Sequence, residues 1–321
     1  MKVNSILSFF AGGLIFLSIT LLVSSSDSKQ AQSDKPEVFT MTVSPDVPSP
    51  VTFCGEVLPM ERFDLYERLD RELTSFTYLH ATTMLLIKRA NRYFPIIEPI
   101  LRANGIPDDF KYLAVIESNL DPKVTSPAKA VGLWQFMPAT GKQYGLDITP
   151  TVDERRNVEK ATEAACKYLK SAYDKYGNWA TVAASYNAGM GRISGELEKQ
   201  LAEDALDLWL VEETSRYVFR ILAIKQIFEN PYKYGFVLKA KNLYKPVSYK
   251  EVTVNQDIPD LAAFAKKYGI SYAVLKQFNP WLTDRKLQTL GKTYKLQIPD
   301  ANDLYYNTPN RFVHDRRWVV D

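Results

Sequence analysis

Histidine is almost absent from this 321-residue chain: His80 and His314 are the only two, far apart, one in a helical segment and the other in the tail. A catalytic zinc centre or a Ser-His-Asp triad needs imidazoles close in space, so neither chemistry, and no metal or organic cofactor, is expected. Cysteine is equally scarce. Cys54 and Cys166 can pair in an oxidising compartment; unpaired, Cys166 reads as a small buried apolar residue inside a helical pattern. Charge of one sign is also lacking. A net +3 gives no basis for a nucleic-acid partner, although a mildly basic protein suits an anionic polymer. Glycine is missing from residue 56 to residue 104, which favours long helices there. The hydrophobic fraction of 46% is that of an ordinary globular protein, and the length allows more than one domain.

What is present begins with Lys2, the apolar run Ile6 to Val23 and the cluster Ser24-Ser25-Ser26, the layout of an export signal over residues 1–24. At about 18 residues the run is also long enough to stay as a membrane anchor. No Cys follows it directly, so no lipid attachment site is expected. Residues 25–55, rich in Ser, Asp, Lys and Pro, read as a flexible linker. Residues 56–93 read as a helical brace, with Phe63, Tyr66, Leu69 and Leu73 on one stripe and Thr83, Leu86, Ile87 and Ala90 on another. Tyr93-Phe94-Pro95 is expected to break it before a short helix ending at Asn104-Gly105.

The stretch FKYLAVIESNLDPKVTSPAKAVGLWQFMP, Phe110 to Pro138, places a carboxylate where carboxylates rarely sit. Phe110, Leu113, Ala114 and Glu117 share one helical face, so Glu117 lies on the apolar stripe. Asn119, Asp121 and Pro122 end the helix, which puts Glu117 in its last turn. Burial and the negative end of the helix dipole both raise a carboxyl pKa, as a general acid near neutral pH requires. Periodicity alone equally allows a mis-phased surface helix.

The surrounding motifs bear on that choice. Glu117-Ser118, Ser126-Pro127, Gly132-Leu133-Trp134-Gln135-Phe136-Met137-Pro138 and Tyr186-Asn187-Ala188-Gly189, in that order and spacing, resemble the lytic murein transglycosylases with a goose-lysozyme-like fold over residues 94–236. The resemblance implies that Glu117 is the only catalytic carboxylate. It protonates the glycosidic oxygen, the substrate's own acetamido group stabilises the sugar centre, and Glu117 then acts as base on the C6 hydroxyl to give a 1,6-anhydro sugar. By the same resemblance Ser118, Ser126, Gln135, Met137, Tyr186 and Asn187 line the substrate, and Tyr217, in the closing motif Glu213 to Val218, reaches back toward Glu117. Trp134 stands where many relatives have Met, and Ser185 replaces the usual Ala. Trp134 and Phe136 read as core residues, which leaves Gln135 as the better site candidate. Asn157 to Tyr176 is patterned as a scaffold helix, and Gly189 suits a helix stop.

Residues 249–300 read as strand, helix, helix and strand: Val252-Thr253-Val254, the stripe Leu261, Phe264, Ala265 and Tyr268, then Tyr272 to Phe278, then Tyr294 to Ile298. This β-α-α-β order is similar to a lysin motif, although Asn255-Gln256-Asp257 departs from the usual glycine-led turn. The tail, residues 301–321, has no legible role. The fold class expected is mainly α, a lysozyme-like helical catalytic domain with an N-terminal helical extension, plus a small α+β lysin-motif-like domain. The resemblance implies an exported, monomeric enzyme of the periplasm or cell envelope acting on peptidoglycan glycan strands. A hydrolytic lysozyme of the same fold and a non-catalytic glycan-binding scaffold stay open as alternatives.

Overall fold

A computed structural model describes residues 42–306 and 312–321, so the expected export signal or anchor at residues 1–24 lies outside the described residues. Among the described residues no helix is long and apolar enough to cross a membrane. Ser44–Asp321 is one compact unit.

The first ordered element corrects the linker expected over residues 25–55. β1 (Val51–Phe53) and β2 (Glu56–Leu58) form a hairpin whose two-residue turn is Cys54-Gly55, both with positive φ. Such a turn matches the right-handed twist of the strands it joins. Val51 and Phe53 are fully buried, and Phe53 meets Phe110 at 5.6 Å between ring centroids. Cys54 and Cys166 are both unpaired.

The helical brace follows, with two corrections. α1 (Phe63–Tyr78) buries Leu65, Leu69, Glu72, Leu73 and Phe76, while Phe63 and Tyr66, expected on the buried stripe, are 75% and 46% exposed. The phase was hidden because a glutamate occupies the buried stripe. Glu72 is accommodated there by Arg216, whose Nε and Nη2 donate to its two oxygens at 2.6 and 3.1 Å. α2 (His80–Ala103) then runs unbroken through Pro95 and Pro99, so the chain breaks at Leu79 and not at Tyr93-Phe94-Pro95. Prolines inside a helix cost backbone hydrogen bonds. Here the burial of Phe94, Ile97 and Leu101 on the same helix offsets that cost.

A 3-10 turn (Asp108–Phe110) leads into α3 (Lys111–Ser118), and α4 (Pro138–Gln143) follows the long loop after it. α5 (Val158–Tyr176) is capped by Asn157, whose Oδ1 accepts from the Lys160 N–H at 3.0 Å, and it stops at Gly177 in the left-handed conformation. α6 (Trp179–Ala188), α7 (Met190–Gln200) and α8 (Glu212–Glu229) complete the helical domain. α1, α3 and α6 all pack on α8, and α2 packs on α5. Central α8 is therefore buried nearly all round, from Tyr217 through Phe228.

The C-terminal domain is β3 (Tyr249–Val254), α9 (Leu261–Lys267), α10 (Tyr272–Phe278) and β4 (Tyr294–Pro299), with β3 and β4 antiparallel in the register Tyr249↔Pro299 to Val254↔Tyr294. Leu261, Ala265, Leu275, Trp281 and Leu296 form its core, joined by one residue of the helical domain, Val152.

The tail, unreadable from sequence, returns to the helical domain. Trp318 is 3% exposed, its indole N–H donates to the Phe228 carbonyl at 2.9 Å, and its ring packs on Phe94, Phe228 and His314. Burial alone would raise the Glu98 carboxyl, but hydrogen bonds from His314 and Lys111 outweigh it and hold Glu98 down to about 2. Replacing this anchor tests its contribution: Trp318→Ala is expected to destabilise the fold by about 3–5 kcal/mol in chemical denaturation. A change under 1 kcal/mol would show that the tail merely rests on the surface.

Candidate active site

α3 is short and almost wholly apolar, with Tyr112, Leu113, Ala114, Val115 and Ile116 all buried. A helix so embedded carries its last turn into the domain interior. Asn119 and Leu120 both adopt positive φ, 53° and 54°, and terminate it abruptly. The Asn119 N–H donates to the Val115 carbonyl at 2.9 Å, and Arg89 Nη1 donates to the Asn119 carbonyl at 2.8 Å. These bonds satisfy a helix end that is otherwise left short of partners. Two consecutive left-handed non-glycine residues cost roughly 1–2 kcal/mol each, a strain the surrounding packing holds.

That termination sets Glu117 in the final turn, half-buried beside α8. The Tyr217 hydroxyl, on α8, donates to Glu117 Oε1. Burial pushes the Glu117 carboxyl up to about 7; the Tyr217 bond and the charge of Arg220 pull it down, and Glu213 pushes it further up. Glu213, Tyr217 and Arg220 recur at i, i+4 and i+7 on α8, so one helical face presents all three groups that act on Glu117. Sequence reading found Tyr217 and missed the other two, although the same spacing names them.

The loop from Thr125 to Met137 is the candidate for the other wall, because Tyr186, whose phenol feels the Glu117 charge, bonds to the Trp134 carbonyl within it. Val131 bridges both Thr125 and Phe136 in short antiparallel pairs. Ser126 Oγ accepts from the Ala130 N–H at 3.0 Å, which leaves its own O–H to donate. Gly132 has φ of +85°, and a Cβ there would fall 1.8 Å from the Arg155 carbonyl oxygen, so the motif's leading glycine is a packing necessity. Trp134 is fully buried and its Nε1 donates to Thr162 Oγ1 at 2.9 Å, and Phe136 is buried too, as expected of core residues. Gln135, between them, has φ of +46°; its Nε2 donates to the Gly132 carbonyl at 2.8 Å and its Oε1 remains available. Met137 is 42% exposed at the start of α4.

The remaining candidates divide. The Tyr186 hydroxyl donates to the Trp134 carbonyl at 2.8 Å, so it supports the Gly132–Met137 wall and does not itself hold the acid. Its phenol is pushed well above its ordinary value by burial and then by the charge of Glu117, which places it in the same cluster. Asn187, in the last turn of α6, is half-buried, and its side-chain amide has no hydrogen-bond partner among the described residues. Ser118 departs from expectation. It is 3% exposed and its hydroxyl donates to the Ala114 carbonyl at 3.1 Å, because a serine in a helix's last turn readily bonds back to the preceding turn. It turns inward and offers nothing to a ligand.

Among the described residues no second carboxylate joins Glu117 by a hydrogen bond. Asp153 pairs with Arg155, and Glu154 accepts from the Asp147 N–H at 2.8 Å. Among the described residues no group of three or more His, Cys, Asp or Glu is placed to hold a metal ion. A separate cavity of about 370 Å³ lies between the two domains, with Tyr93, Arg156, Tyr249, Trp281 and Tyr306 in its walls; Glu117 is not one of its lining residues.

Comparison with known proteins matches two segments of the chain. Residues 94–207 match the transglycosylase SLT domain, and residues 250–302 match the soluble lytic transglycosylase C-terminal LysM-like domain. Membrane-bound lytic murein transglycosylase D of Escherichia coli K12 is 31% identical over 250 residues, which is 75% of this chain and 54% of that protein. The peptidoglycan transglycosylase gp16 of Escherichia phage T7 is 32% identical over 136 residues, 41% of this chain and 10% of that one. Among solved structures, the 70 kDa soluble lytic transglycosylase of Escherichia coli is similar over 43% of this chain and 24% of that chain, at 26% identity and a TM-score of 0.38. The chain thus spans about half the length of the transglycosylase D it matches. The chain therefore carries a transglycosylase SLT domain, residues 94–207, followed by a soluble lytic transglycosylase C-terminal LysM-like domain, residues 250–302.

Proposed function

We propose that residues 94–236 cleave the MurNAc-GlcNAc β-1,4 bond of peptidoglycan glycan strands by intramolecular transglycosylation, with Glu117 as the sole proton-transfer group. The observation that carries this reading is the Glu117 carboxyl, pushed up to about 7 by burial, with a tyrosine hydroxyl as its only hydrogen-bonded neighbour among the described residues. A carboxyl poised there can be protonated at the start of a turnover and ionised later in it.

The chemistry then balances without water. The protonated Glu117 gives its proton to the glycosidic oxygen as the C1–O bond breaks and the GlcNAc end leaves. The carbonyl oxygen of the MurNAc acetamido group bonds to C1 and takes the place of the second carboxylate that glycosidases commonly supply. Ionised Glu117, held by the Tyr217 hydroxyl, then removes the C6 hydroxyl proton. The C6 oxygen displaces the acetamido oxygen at C1 and closes the 1,6-anhydro ring. Glu117 ends the cycle protonated, as it began.

Ser126, with its free O–H, and Asn187, with its unspent amide, are the donors proposed to face the acetamido group and the sugar hydroxyls. Gln135 and Met137 are proposed to line the strand, and Tyr186 to fix that wall. The LysM-like domain is proposed to add affinity for the same polymer. Residues 1–24 are proposed to direct the chain to the cell envelope, as an export signal or a retained anchor, where it acts as a monomer.

Digestion of purified sacculi followed by mass spectrometry tests the reaction. Wild-type protein is expected to release anhydro-muramic ends and Glu117→Gln at least about a thousandfold less product. Reducing-end products would instead establish hydrolysis, and undiminished release by Glu117→Gln would remove Glu117 from the mechanism.

The pH dependence follows from the same carboxyl. kcat/KM is expected to fall as pH rises through about 7, because the acid must be protonated at the outset. The Tyr217 hydrogen bond favours the ionised form, so Tyr217→Phe should move that limb to higher pH. A limb that stays in place or moves to lower pH would contradict this role for Tyr217.

Stability should fall in the same direction. Between its ordinary 4.5 and about 7, Glu117 binds more proton in the folded than in the unfolded state, so it lowers stability as pH rises across that window. Glu117→Gln should therefore be more stable than wild type by about 2–3 kcal/mol above pH 7, with the difference vanishing below about pH 4.5. Equal stability at all pH values in denaturant titrations would show that the carboxyl is not desolvated.

A further inference from the structure

We propose that Arg155 is a positioning residue for the Gly132–Met137 wall, and that through the segment Asp147–Arg155 the LysM-like domain sets the geometry of the catalytic cleft in addition to any glycan it holds. This rests on the reading above, in which that wall faces substrate.

Arg155 is buried, and four of its five donors are spent at one junction. Nε and Nη2 donate to the two oxygens of Asp153, each at 2.8 Å, and Nη1 donates to the carbonyls of Lys129 and Phe136, each at 3.0 Å. One carbonyl precedes the glycine-led motif and the other lies within it, between Gln135 and Met137. The backbone of Gly132 lies against the Arg155 carbonyl with no room for a side chain, and Gly141 of α4 lies against the Arg155 methylenes. The guanidinium thus ties the chain on both sides of Gln135 and immediately before Met137. A buried charge is expensive and is tolerated only where its partners are complete. A planar fork can satisfy a carboxylate and two carbonyls together, whereas a lysine ammonium at the same place cannot.

The other side of this junction is the LysM-like domain. The Asp153 N–H donates to the Trp281 carbonyl at 2.8 Å, and Val152 bridges Leu282 in an antiparallel pair. The Thr283 N–H donates to the Thr151 carbonyl and its hydroxyl to the Pro150 carbonyl, both at 3.0 Å. Lys292 pairs with Asp147, and the side chain of Val152 is fully buried in the core of the C-terminal domain. A domain serving only as a tether needs no such insertion. Here a single nine-residue segment inserts Val152 into one domain and, three residues on, uses Arg155 to pin the cleft wall of the other.

The test uses the full chain with a short soluble glycan fragment as substrate. Arg155→Lys and the isosteric Asp153→Asn break the junction, Val152→Ala loosens the LysM-like side without touching Arg155, and Glu117→Gln is the reference. Expected are a rise in KM of about tenfold or more for both junction variants and a smaller rise for Val152→Ala. kcat should stay within about threefold, and the alkaline limb of the pH profile should not move, because Glu117 is held from α3 and α8. If Arg155→Lys fails to fold, Asp153→Asn decides. Wild-type KM in the junction variants, or a loss confined to kcat that follows the fraction of folded protein, overturns the positioning role while an inactive Glu117→Gln leaves the reaction assignment intact. Wild-type KM in Val152→Ala overturns the part played by the LysM-like domain. Full activity in Glu117→Gln would sink the underlying reading of the site instead.

Discussion

One carboxyl held half out of water against a tyrosine hydroxyl organises this molecule. Moving an ionised carboxylate into such a place is unfavourable, and the cost appears as a raised pKa instead of an absent residue. Everything that encloses Glu117 serves to sustain that cost. α3 is short and apolar so that its last turn ends inside the domain, two left-handed residues stop it there, and α8 is buried nearly all round so that Tyr217 is rigid when it meets the acid. Arg220 and Glu213 flank the same tyrosine with opposite charges whose effects on Glu117 oppose each other. The result is a group whose proton affinity is set mainly by burial and trimmed by one hydrogen bond.

The second constraint is mechanical. The wall proposed to face the acid is a loop, and loops are ordinarily the mobile parts of an enzyme. This one is held by hydrogen bonds within itself, by the Tyr186 hydroxyl on the Trp134 carbonyl, and by Arg155 on the carbonyls of Lys129 and Phe136. Binding groups must hold their geometry closely to distinguish a transition state from a ground state. The C-terminal domain shares a core residue with the catalytic domain, and the two therefore differ from modules joined by a linker. The returning tail adds a further tie, packing Trp318 on Phe94 and Phe228.

Much of this was legible in the residues, and the failures have physical causes. The helix bearing Glu117 announces itself because its apolar positions are continuous, and the C-terminal unit because its alternations and stripes are clean and its caps, Asp260 and Ser271, stand at the helix starts. The stripe on α1 was misphased because Glu72, a buried ion pair, stands where an apolar residue is looked for. Pro95 and Pro99 signalled a break that three buried apolar side chains override. The hairpin at Val51 was hidden in a Ser- and Pro-rich stretch, where three-residue strands leave little alternation to see. Ser118 was assigned to the substrate by its place in a motif, and only the direction of its hydroxyl removes it. Long-range facts such as Arg155 reaching Lys129 and Phe136, or Trp318 reaching Phe228, have no local pattern to betray them.

The central claim is that burial keeps the Glu117 carboxyl protonated until near neutral pH. Titrating that side chain by carbon NMR in selectively labelled protein, with Glu117→Gln to assign the resonance, tests it without recourse to turnover. A midpoint near 7 is the expected result. A midpoint near 4.5, the ordinary value, would mean that the group is solvated and cannot be the acid on which the site depends.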